Sequence, residues 1–258
     1  MKAMKDLKSA RQRFKSMHDR FFVIPNAWSV GEIRQLEKLG FGAIATTSAG
    51  LSASMGRDDL SLTRDETLQN IRTLCAATDL PVNADFEAGF ADDPSGVGAN
   101  VRLAAEAGVC GLSIEDRKGA ALYDVGDAVA RIKAARAALD KVDPNIVLVG
   151  RSEGYLVGNS DVRPTIERLK AYADAGADVL YPPGVSTPAD IEAVVKALAP
   201  KPVNILIIRP DMSAKELEGL GVRRMSIGGF LAAAASIAFE KAADGLKRNG
   251  TLPREVFG

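Results

Sequence analysis

The chain has 258 residues, 47% of them hydrophobic, which is enough for a sizeable core and fits the usual length of a one-domain α/β barrel. Its 33 basic and 33 acidic residues cancel, so the charge favours neither a nucleic-acid partner nor a membrane surface. Cys75 and Cys110 show neither metal-ligand nor redox spacing, and no apolar run approaches the roughly 20 residues that span a bilayer. We therefore expect a cytoplasmic protein without a secretory signal.

The first predicted element is a basic amphipathic helix over residues 2–19, with His18 at its end. His18 is the only histidine in the sequence. This excludes Ser-His-Asp and Cys-His triads formed with any other histidine, as well as zinc sites built from several histidines. A single histidine at a helix end is typical of a surface or capping residue, and we expect that role here.

Apolar runs and helical patterns alternate along the rest of the chain, and each run precedes a helical pattern. The predicted strands are Phe21–Pro25, Ala43–Thr47, Val82–Asp85, Gly111–Glu115, Ile146–Gly150, Val179–Tyr181, Val203–Ile207 and Met225–Ile227. The predicted helices span residues 29–39, 65–77, 97–107, 125–139, 162–175, 188–198, 213–218 and 230–247. Near-continuous apolar strands are typical of parallel strands that are covered on both faces. Eight such units predict one α/β domain over residues 1–258, a (β/α)₈ TIM-type barrel with a long C-terminal helix, rather than an open sheet.

Functional side chains of such barrels lie at the carboxyl ends of the strands. The third strand ends at Asp85, and Glu87 lies on the same face if strand alternation continues. Two carboxylates on one face repel each other unless a cation lies between them, and oxygen ligands favour Mg²⁺ or Mn²⁺ over zinc. The alternative is an exposed strand end with two solvated acids.

Other strand ends carry related side chains. The fourth strand ends at Glu115-Asp116, of which alternation directs only one acid inward, and the fifth ends near Arg151. The second strand is followed by a small-residue turn, Thr46–Gly50, whose amides are suited to an anion, and then by Asp58-Asp59. Together these residues indicate a metal site beside a cation that binds an anionic group.

These motifs together resemble the isocitrate lyase/phosphoenolpyruvate mutase superfamily over about residues 21–235. The segments that carry the resemblance are Thr47-Ser48-Ala49-Gly50, Gly56-Arg57-Asp58-Asp59, Asn83-Ala84-Asp85-Phe86-Glu87-Ala88-Gly89, Ile114-Glu115-Asp116, Gly150-Arg151 and Pro202-Val203-Asn204. The resemblance implies a barrel with Mg²⁺ at the strand ends that binds a small 2-oxo acid or its enolate. It also implies a homo-oligomer, expected to be a tetramer, in which C-terminal helices are exchanged between paired subunits. The alanine-rich segment from Leu231 to Ala235 suits such a contact.

The resemblance implies roles for individual residues. Asp85 would ligate the metal directly, and Asp59, Glu87 and Glu115 would hold its water molecules. Asp59, rather than the adjacent Asp58, matches the acid of the family. The implied substrate-binding residues are Thr47, Ser48, Ala49, Arg151 and Asn204, with the amides of Ser48 and Ala49 at the oxyanion and Arg151 at the carboxylate. The implied catalytic residues are Asp59, Glu115 and Arg151. For Arg151, a structural ion pair with an acid such as Glu153 is the alternative.

Two segments depart from the family pattern. Lyases of the family carry a Lys-Arg-Cys-Gly-His segment after the fourth strand, whose cysteine protonates the departing fragment, whereas residues 117–124 here contain neither cysteine nor histidine. Pro183 stands where the tricarboxylate lyases have a glutamate. We therefore predict a Mg²⁺-dependent lyase for a small 2-oxo acid, such as a decarboxylase of oxaloacetate, and not a lyase of isocitrate or methylisocitrate. Bulk water or Tyr123 would return the proton.

Two other functions fit the same residues. One is a lyase or mutase that acts on the P–C bond of a phosphonate or on a phosphoenolpyruvate-like substrate. Gly228-Gly229 also suits a phosphate at a helix N-terminus, although glycines there equally allow a tight turn. The other is a 2-oxo-acid-binding protein that retains the metal site but catalyses weakly.

Overall fold

The computed structural model describes residues 6–257, so residues 2–5 of the predicted leading helix lie outside the described part of the chain. The α-helices in this part are α1 (Leu7–Met17), α2 (Val30–Lys38), α3 (Ser48–Ser54), α4 (Arg64–Ala77), α5 (Pro94–Glu106), α6 (Val125–Val142), α7 (Val162–Asp174), α8 (Pro188–Leu198), α9 (Ala214–Gly219) and α10 (Phe230–Asn249). Short 3₁₀ helices cover Gly154–Val157 and Arg254–Phe257.

The strands lie between the helices, and all but one short hairpin are parallel. They are β1 (Phe22–Ile24), β2 (Asn26–Ala27), β3 (Ile44–Thr46), β4 (Val82–Asp85), β5 (Gly111–Glu115), β6 (Arg117–Lys118), β7 (Ala121–Leu122), β8 (Val147–Arg151), β9 (Val179–Tyr181), β10 (Asn204–Leu206) and β11 (Arg224–Ser226). The hairpin is the antiparallel pair β6–β7, which follows β5.

The parallel strands close into a barrel. β1 and β2 are two parts of one strand interrupted at Pro25, because β1 pairs with β11 whereas β2 pairs with β3. The order continues through β4, β5, β8 and β9, and Leu180 of β9 is bridged to Val203 just before β10. β10 pairs with β11, with Asn204 opposite Arg224, which completes a ring of eight strands. The predicted TIM-type barrel is therefore confirmed.

The main core lies between the barrel and its outer helices. Strand residues such as Leu112 and Leu148 pack there against helix residues such as Val101 and Leu169, all fully buried. Alternate strand residues point the other way, into the barrel. The strands therefore bury both faces, which explains their near-continuous apolar sequences.

Helix α1 closes the lower end of the barrel, at the amino ends of the strands. Phe14 of α1 is fully buried in a separate apolar cluster with Ile24, Val147 and other interior residues. Gly111 makes room for it, because a Cβ at this position would lie 2.8 Å from Cε1 of Phe14 and 3.0 Å from the carbonyl oxygen of Val147. The apolar plug leaves the upper interior to polar side chains.

His18 caps the C-terminus of α1, as expected, but it is buried rather than exposed. Its ring packs edge-on against Phe14 and Phe22, with centroids 5.1 and 5.0 Å away, and its Nδ1 lies 3.0 Å from the carbonyl oxygen of Phe14. Burial, together with the charge of Arg224, lowers the pKa of His18 to about 3. The imidazole is therefore neutral at physiological pH.

Most predicted elements are present within three residues of their predicted bounds, and β4, β5 and β9 have the predicted bounds. The prediction missed α3, where a turn was expected. Thr47 caps this helix, since its Oγ1 accepts a hydrogen bond from the amide of Gly50 at 3.2 Å. It also missed the β6–β7 hairpin.

The predicted long C-terminal helix is α10, and it buries none of its residues. Its exposed apolar side chains include Phe230, Ile237 and Phe239, the last two 65% and 75% exposed. An uncovered apolar face of this kind is typical of an interaction surface. Despite this apolar character, a helix that could cross a bilayer is not found within residues 6–257.

Candidate active site

A cavity of about 190 Å³ lies at the carboxyl ends of the barrel strands, where barrel enzymes carry their functional residues. The predicted site residues that line it are Thr47, Ser48, Ala49, Asp59, Asp85, Arg151 and Asn204. Glu115 joins this group because its Oε2 is 3.3 Å from Nη1 of Arg151. Glu87 joins it because it is close enough to Asp85 and Asp59 for their charges to raise its pKa. The fold therefore brings residues from six separate chain segments to one place.

Arg151 lies at the centre of the acids. Its Nη1 is 3.2 Å from Oδ1 of Asp85 and 3.3 Å from Oε2 of Glu115, and its Nε is 2.6 Å from Oε1 of Glu153. Burial alone would lower the pKa of Arg151, but Glu115, Glu153 and Asp85 raise it well above its ordinary value. The structural ion pair with Glu153 is thus present. Only Nη2 of this guanidinium makes no hydrogen bond to a described residue.

Asp85 is held by the first turn of α3. Its Oδ2 accepts hydrogen bonds from the amide of Ser48 at 3.0 Å and from the Ser48 hydroxyl at 2.9 Å. Its own amide donates to Oγ1 of Thr46 at 2.8 Å. The Ser48 amide is therefore engaged with Asp85. Ala49 lines the cavity, and its amide makes no hydrogen bond to the described residues.

The adjacent acids Asp58 and Asp59 are separated by their positions. Asp59 lines the cavity, and its Oδ1 lies 3.4 Å from the hydroxyl of Ser48 and accepts from the amide of Leu60 at 2.9 Å. Both acids are exposed, but Asp58 lies outside the lining. The structure therefore puts Asp59, rather than Asp58, beside Asp85.

Glu87 does not continue the strand. β4 ends at Asp85, and Glu87 has a φ of +46°, a left-handed conformation that a residue with a Cβ rarely adopts. Strand alternation therefore does not explain its orientation, contrary to the expectation. Its Oε1 is buried without a hydrogen-bond partner in the described structure. Burial, followed by repulsion from Asp85 and Asp59, raises the pKa of Glu87 to about 8.

Glu115 and Asp116 point to opposite sides, as alternation predicts. Glu115 is only 4% exposed, and burial, with Glu153, Asp85 and Glu87 opposing Arg151, raises its pKa to about 8. Asp116 instead accepts hydrogen bonds from the amide of Glu153 at 2.8 Å and from the hydroxyl of Tyr172 at 2.6 Å. Glu115 thus belongs to the site, and Asp116 ties β5 to the loop after β8 and to α7.

We call Asp59, Asp85, Glu87, Glu115 and Glu153 the acidic cluster. Two cations of the described residues pair with this cluster. Arg151 lies at its centre, and Nη1 of Arg117 is 3.8 Å from Oε2 of Glu153. The surplus of oxygens, the two raised pKa values and the unpartnered Oε1 of Glu87 all fit a divalent cation. No three acidic, cysteine or histidine side chains converge as direct ligands within residues 6–257. A cation here would take further ligands from water, as Mg²⁺ usually does.

The segment after β5 forms the β6–β7 hairpin and leads to Tyr123. The ring of Tyr123 stacks on the guanidinium of Arg131, with Cζ 3.9 Å from the ring centroid. It lines a separate surface pocket with Glu87 and Phe90, and not the main cavity. Tyr123 is therefore not oriented as a proton donor to the cavity.

Asn204, a predicted substrate-binding residue, and the turn at Gly228-Gly229, a predicted phosphate position, both form hydrogen bonds within the protein. Asn204 accepts from Nε of Arg224 at 2.9 Å and donates to the hydroxyl of Ser226 at 2.9 Å. Near Gly228-Gly229, the amides of Ile227 and Gly228 donate to Oδ1 of Asn26 at 3.2 and 2.9 Å. These glycines thus serve the turn into α10.

Sequence reasoning missed Arg224, which lines the cavity and is 3% exposed. The predicted eighth strand, Met225–Ile227, starts one residue too late, since β11 begins at Arg224. Alternation through Arg224 and Ser226 would have directed both inward. Tyr181, also in the cavity wall, lies with its ring centroid 5.3 Å from Cζ of Arg151.

A parallel barrel with an acidic, oxygen-rich cluster at its strand ends defines a metal-binding class of barrel protein, and comparisons with known proteins identify the family. The sequence model described as "Phosphoenolpyruvate phosphomutase" matches residues 14–247. An uncharacterized protein of Mycobacterium tuberculosis strain H37Rv is 33% identical over 91% of this chain and 88% of its own. Oxaloacetate decarboxylase of Rhodopseudomonas palustris is 32% identical over 88% of this chain and 80% of its own.

Further relatives cover the chain less fully or are known from their structures. 2-Methylisocitrate lyase of Escherichia coli K12 is 34% identical over 58% of this chain and 53% of its own. A Burkholderia cenocepacia J2315 structure, provisionally described as a lyase/mutase, superposes with a TM-score of 0.92 at 44% identity over 95% of this chain and 91% of its own. Oxaloacetate acetylhydrolase with bound oxalate gives a TM-score of 0.87 at 25% identity, over 96% and 89%. The chain belongs to the phosphoenolpyruvate phosphomutase family, within the phosphoenolpyruvate mutase/isocitrate lyase superfamily.

Proposed function

We propose that this protein is a Mg²⁺-dependent carbon–carbon lyase for a small 2-oxo acid, with oxaloacetate as the first candidate substrate. The observation that carries the proposal is the acidic cluster beside the cavity, with two carboxyl groups whose pKa values are raised to about 8. Its family includes relatives named for cleaving C–C bonds, among them an oxaloacetate decarboxylase. The small cavity suits a substrate of a few carbon atoms.

Asp85 would hold Mg²⁺ or Mn²⁺ directly, and Asp59, Glu87 and Glu115 would bind its water molecules. When bound, the cation supplies Lewis acidity that polarises a 2-oxo group. Ser48 keeps Asp85 in place through its amide and hydroxyl. These two hydrogen bonds hold Oδ2, while Oδ1 lies 3.2 Å from Nη1 of Arg151.

The chain supports the charge that develops during cleavage. In the decarboxylation of oxaloacetate the C3–C4 bond breaks, CO₂ departs, and the electron pair becomes the enolate of pyruvate. Ala49 lines the cavity, and its amide would donate to the enolate oxygen. Loss of one such donor typically costs about 10²–10³ in rate. Arg151 would bind a substrate carboxylate through Nη2, since Nε and Nη1 are engaged with acids.

Proton return completes the reaction at C3 of the enolate. The β6–β7 hairpin is short, and Tyr123 is stacked on Arg131 outside the cavity. Bulk water is therefore the proposed proton source. CO₂ needs no protonation when it leaves, which suits a chain without the cysteine of the family's lyases.

The test is a side-by-side assay of oxaloacetate, phosphonopyruvate, methylisocitrate and isocitrate with Mg²⁺. We expect methylisocitrate and isocitrate to be turned over at least about 10²-fold more slowly than the best small oxo acid, the lower end of what a positioned general acid contributes. Efficient cleavage of either tricarboxylate contradicts the proposal. Preference for phosphonopyruvate assigns the protein to P–C chemistry, and inactivity with all four indicates a binding protein.

We further propose that the 258 residues form a single domain that works in the cytoplasm as a homo-oligomer, most simply a tetramer. The support is α10, whose apolar side chains Ile237 and Phe239 are mostly exposed. Light scattering at micromolar concentration should give a mass above that of one chain, and Phe239→Asp should reduce it, because a buried unpaired charge opposes association. A monomeric mass for the unmodified protein contradicts this proposal.

A further inference from the structure

The cavity extends below the acidic cluster into a polar part of the barrel interior, where closed barrels usually pack branched apolar side chains. Its lining there includes Asn83, Asn204, Arg224 and Ser226. We call these four residues the Arg224 pocket. Asn204 and Arg224 are the first residues of β10 and β11 and are paired across the two strands, so the pocket lies nearer the amino ends of the strands.

Arg224 has only neutral partners. Its Nε donates to Oδ1 of Asn204 at 2.9 Å, and its Nη1 lies 3.4 Å from Oδ1 of Asn83 and 3.5 Å from Nε2 of His18. His18 is neutral, because burial and Arg224 itself lower its pKa to about 3. Nη2 makes no hydrogen bond to any residue in the described range, and the side chain lines the cavity.

Three other arginines of the interior have partners within the protein that offset their charge or accept their hydrogen bonds. Arg151 contacts three carboxylates, and Arg11 lies 3.4 Å from Asp143. Arg131 lacks a nearby acid, but its two terminal nitrogens donate to three backbone carbonyl groups in residues 88–92. Among these four, Arg224 alone combines neutral surroundings, a terminal nitrogen without a hydrogen bond in the described structure, and a side chain that lines the cavity.

A buried cation without a counter-ion is costly, and burial lowers the pKa of Arg224 to about 10. At neutral pH it nevertheless stays charged. Its guanidinium can pair with a carboxylate through strong, oriented hydrogen bonds. Since Arg151 is already surrounded by acids, Arg224 is the stronger attraction for an anionic group inside the cavity.

We propose that Arg224 binds the second, distal carboxylate of the substrate and so selects short dicarboxylic acids over monocarboxylic ones. This proposal rests on the proposed function, which holds the other end of the same molecule at the acidic cluster. The cavity of about 190 Å³ limits the ligand to a short chain. A four-carbon 2-oxo dicarboxylate is the substrate class that satisfies both ends.

The role also predicts how kinetic constants change. Loss of CO₂ from the distal end converts a carboxylate into a neutral molecule, so an ion pair with Arg224 stabilises the bound substrate more than the transition state. Arg224→Gln should therefore raise KM for oxaloacetate at least about tenfold while kcat falls little or rises. A merely structural role would lower kcat and stability together.

The direct test is calorimetric binding of malate and 2-hydroxybutyrate, each as both enantiomers, to the full chain with Mg²⁺. The two acids differ only in a carboxylate or a methyl group at C4, and malate does not decarboxylate. The unmodified protein should bind malate at least about tenfold more tightly, a difference that hydrogen bonds to a charged group can supply. Arg224→Gln should remove the preference by weakening malate alone.

Arg223→Gln is the matched control, because Arg223 is the exposed neighbour and lies outside the cavity. It should retain the preference. Equal affinity of the unmodified protein for malate and 2-hydroxybutyrate overturns the proposal, and this result does not depend on whether Arg224→Gln folds. An equal loss of affinity for both acids in Arg224→Gln also overturns it. Inactivity with the oxo-acid panel, with malate preference retained, instead overturns the proposed function and leaves the Arg224 pocket intact.

Discussion

Arg151 and Arg224 line the same small cavity, yet their surroundings are opposite. Arg151, at the carboxyl ends of the strands, contacts Asp85, Glu115 and Glu153, which raise its pKa. Arg224, in the barrel interior, contacts only neutral groups, and burial lowers its pKa. The first arginine holds acids together, whereas the second keeps an uncompensated charge. The cavity is therefore acidic at one end and cationic at the other.

This difference separates an arginine that stabilises the fold from one that is available to bind a ligand. An arginine surrounded by acids has little charge left for a ligand, even when it lies where a ligand is expected. An arginine among amides and a neutral imidazole attracts any anion that fits. The position of a charged residue at a strand end is thus weaker evidence for ligand binding than the balance of charge around it.

Removing Asp85 disables the acidic end of the cavity and should have the largest effect. Asp85→Asn should lower turnover of the best oxo acid by about 10³-fold or more, since a bound cation contributes several kcal/mol to catalysis. The measurement is steady-state turnover with excess Mg²⁺. Asp58→Asn is the control, because Asp58 is exposed and outside the cavity, and it should remain active. Full activity of Asp85→Asn, or of chelator-treated enzyme, contradicts the metal site.

Substituting each arginine by methionine compares the two surroundings directly. Arg151→Met should lower the free energy of unfolding by about 3–5 kcal/mol, because it leaves buried acids without a counter-ion. Arg224→Met should lower it by only about 1–2 kcal/mol, since the lost hydrogen bond to Asn204 is offset by removal of an unpaired charge. Urea unfolding at neutral pH measures both. Equal losses would show that Arg224 is as structural as Arg151.

The two ends should also differ in pH dependence. Burial and neighbouring acids raise the pKa values of Glu87 and Glu115 to about 8, so both hold protons at pH 6 in the metal-free protein. A cation must displace these protons, and Mg²⁺ affinity should rise between pH 6 and 8, by up to about tenfold per pH unit for each displaced proton.

Calorimetry in two buffers of different ionisation enthalpy would detect the released protons. The preference for malate over 2-hydroxybutyrate should stay constant over the same range, because the pKa of Arg224 is about 10 and it remains charged. A Mg²⁺ affinity that is independent of pH would show that neither glutamate is near the cation.

The strands were predictable where local sequence marks their limits. β4 follows Pro81, β5 follows Gly108 and ends at acidic residues, and β9 follows Gly176 and ends before Pro182, so local sequence located all three. α3 was not predictable in this way, because its Ser-Ala-Gly-Leu-Ser-Ala-Ser sequence has no apolar stripe. Its cap on Thr47 and its packing against α10 hold it instead.

The site was also only partly predictable, because local sequence patterns locate some of its residues and not others. Asp59, Asp85 and Arg151 reach the cavity from strand ends, as the motifs imply. Glu87 lies where alternation has stopped, with a positive φ that sequence alone does not reveal. Arg224 was missed because a charged residue inside a barrel contradicts hydrophobic patterning, and such contradictions commonly mark function.

Phe14 and His18 close the lower end of the barrel, so a ligand reaches Arg224 past the acidic cluster. For an anion this passage is repulsive until a divalent cation neutralises the acids. For the proposed reaction this sets an obligatory order of addition, with metal first and organic acid second.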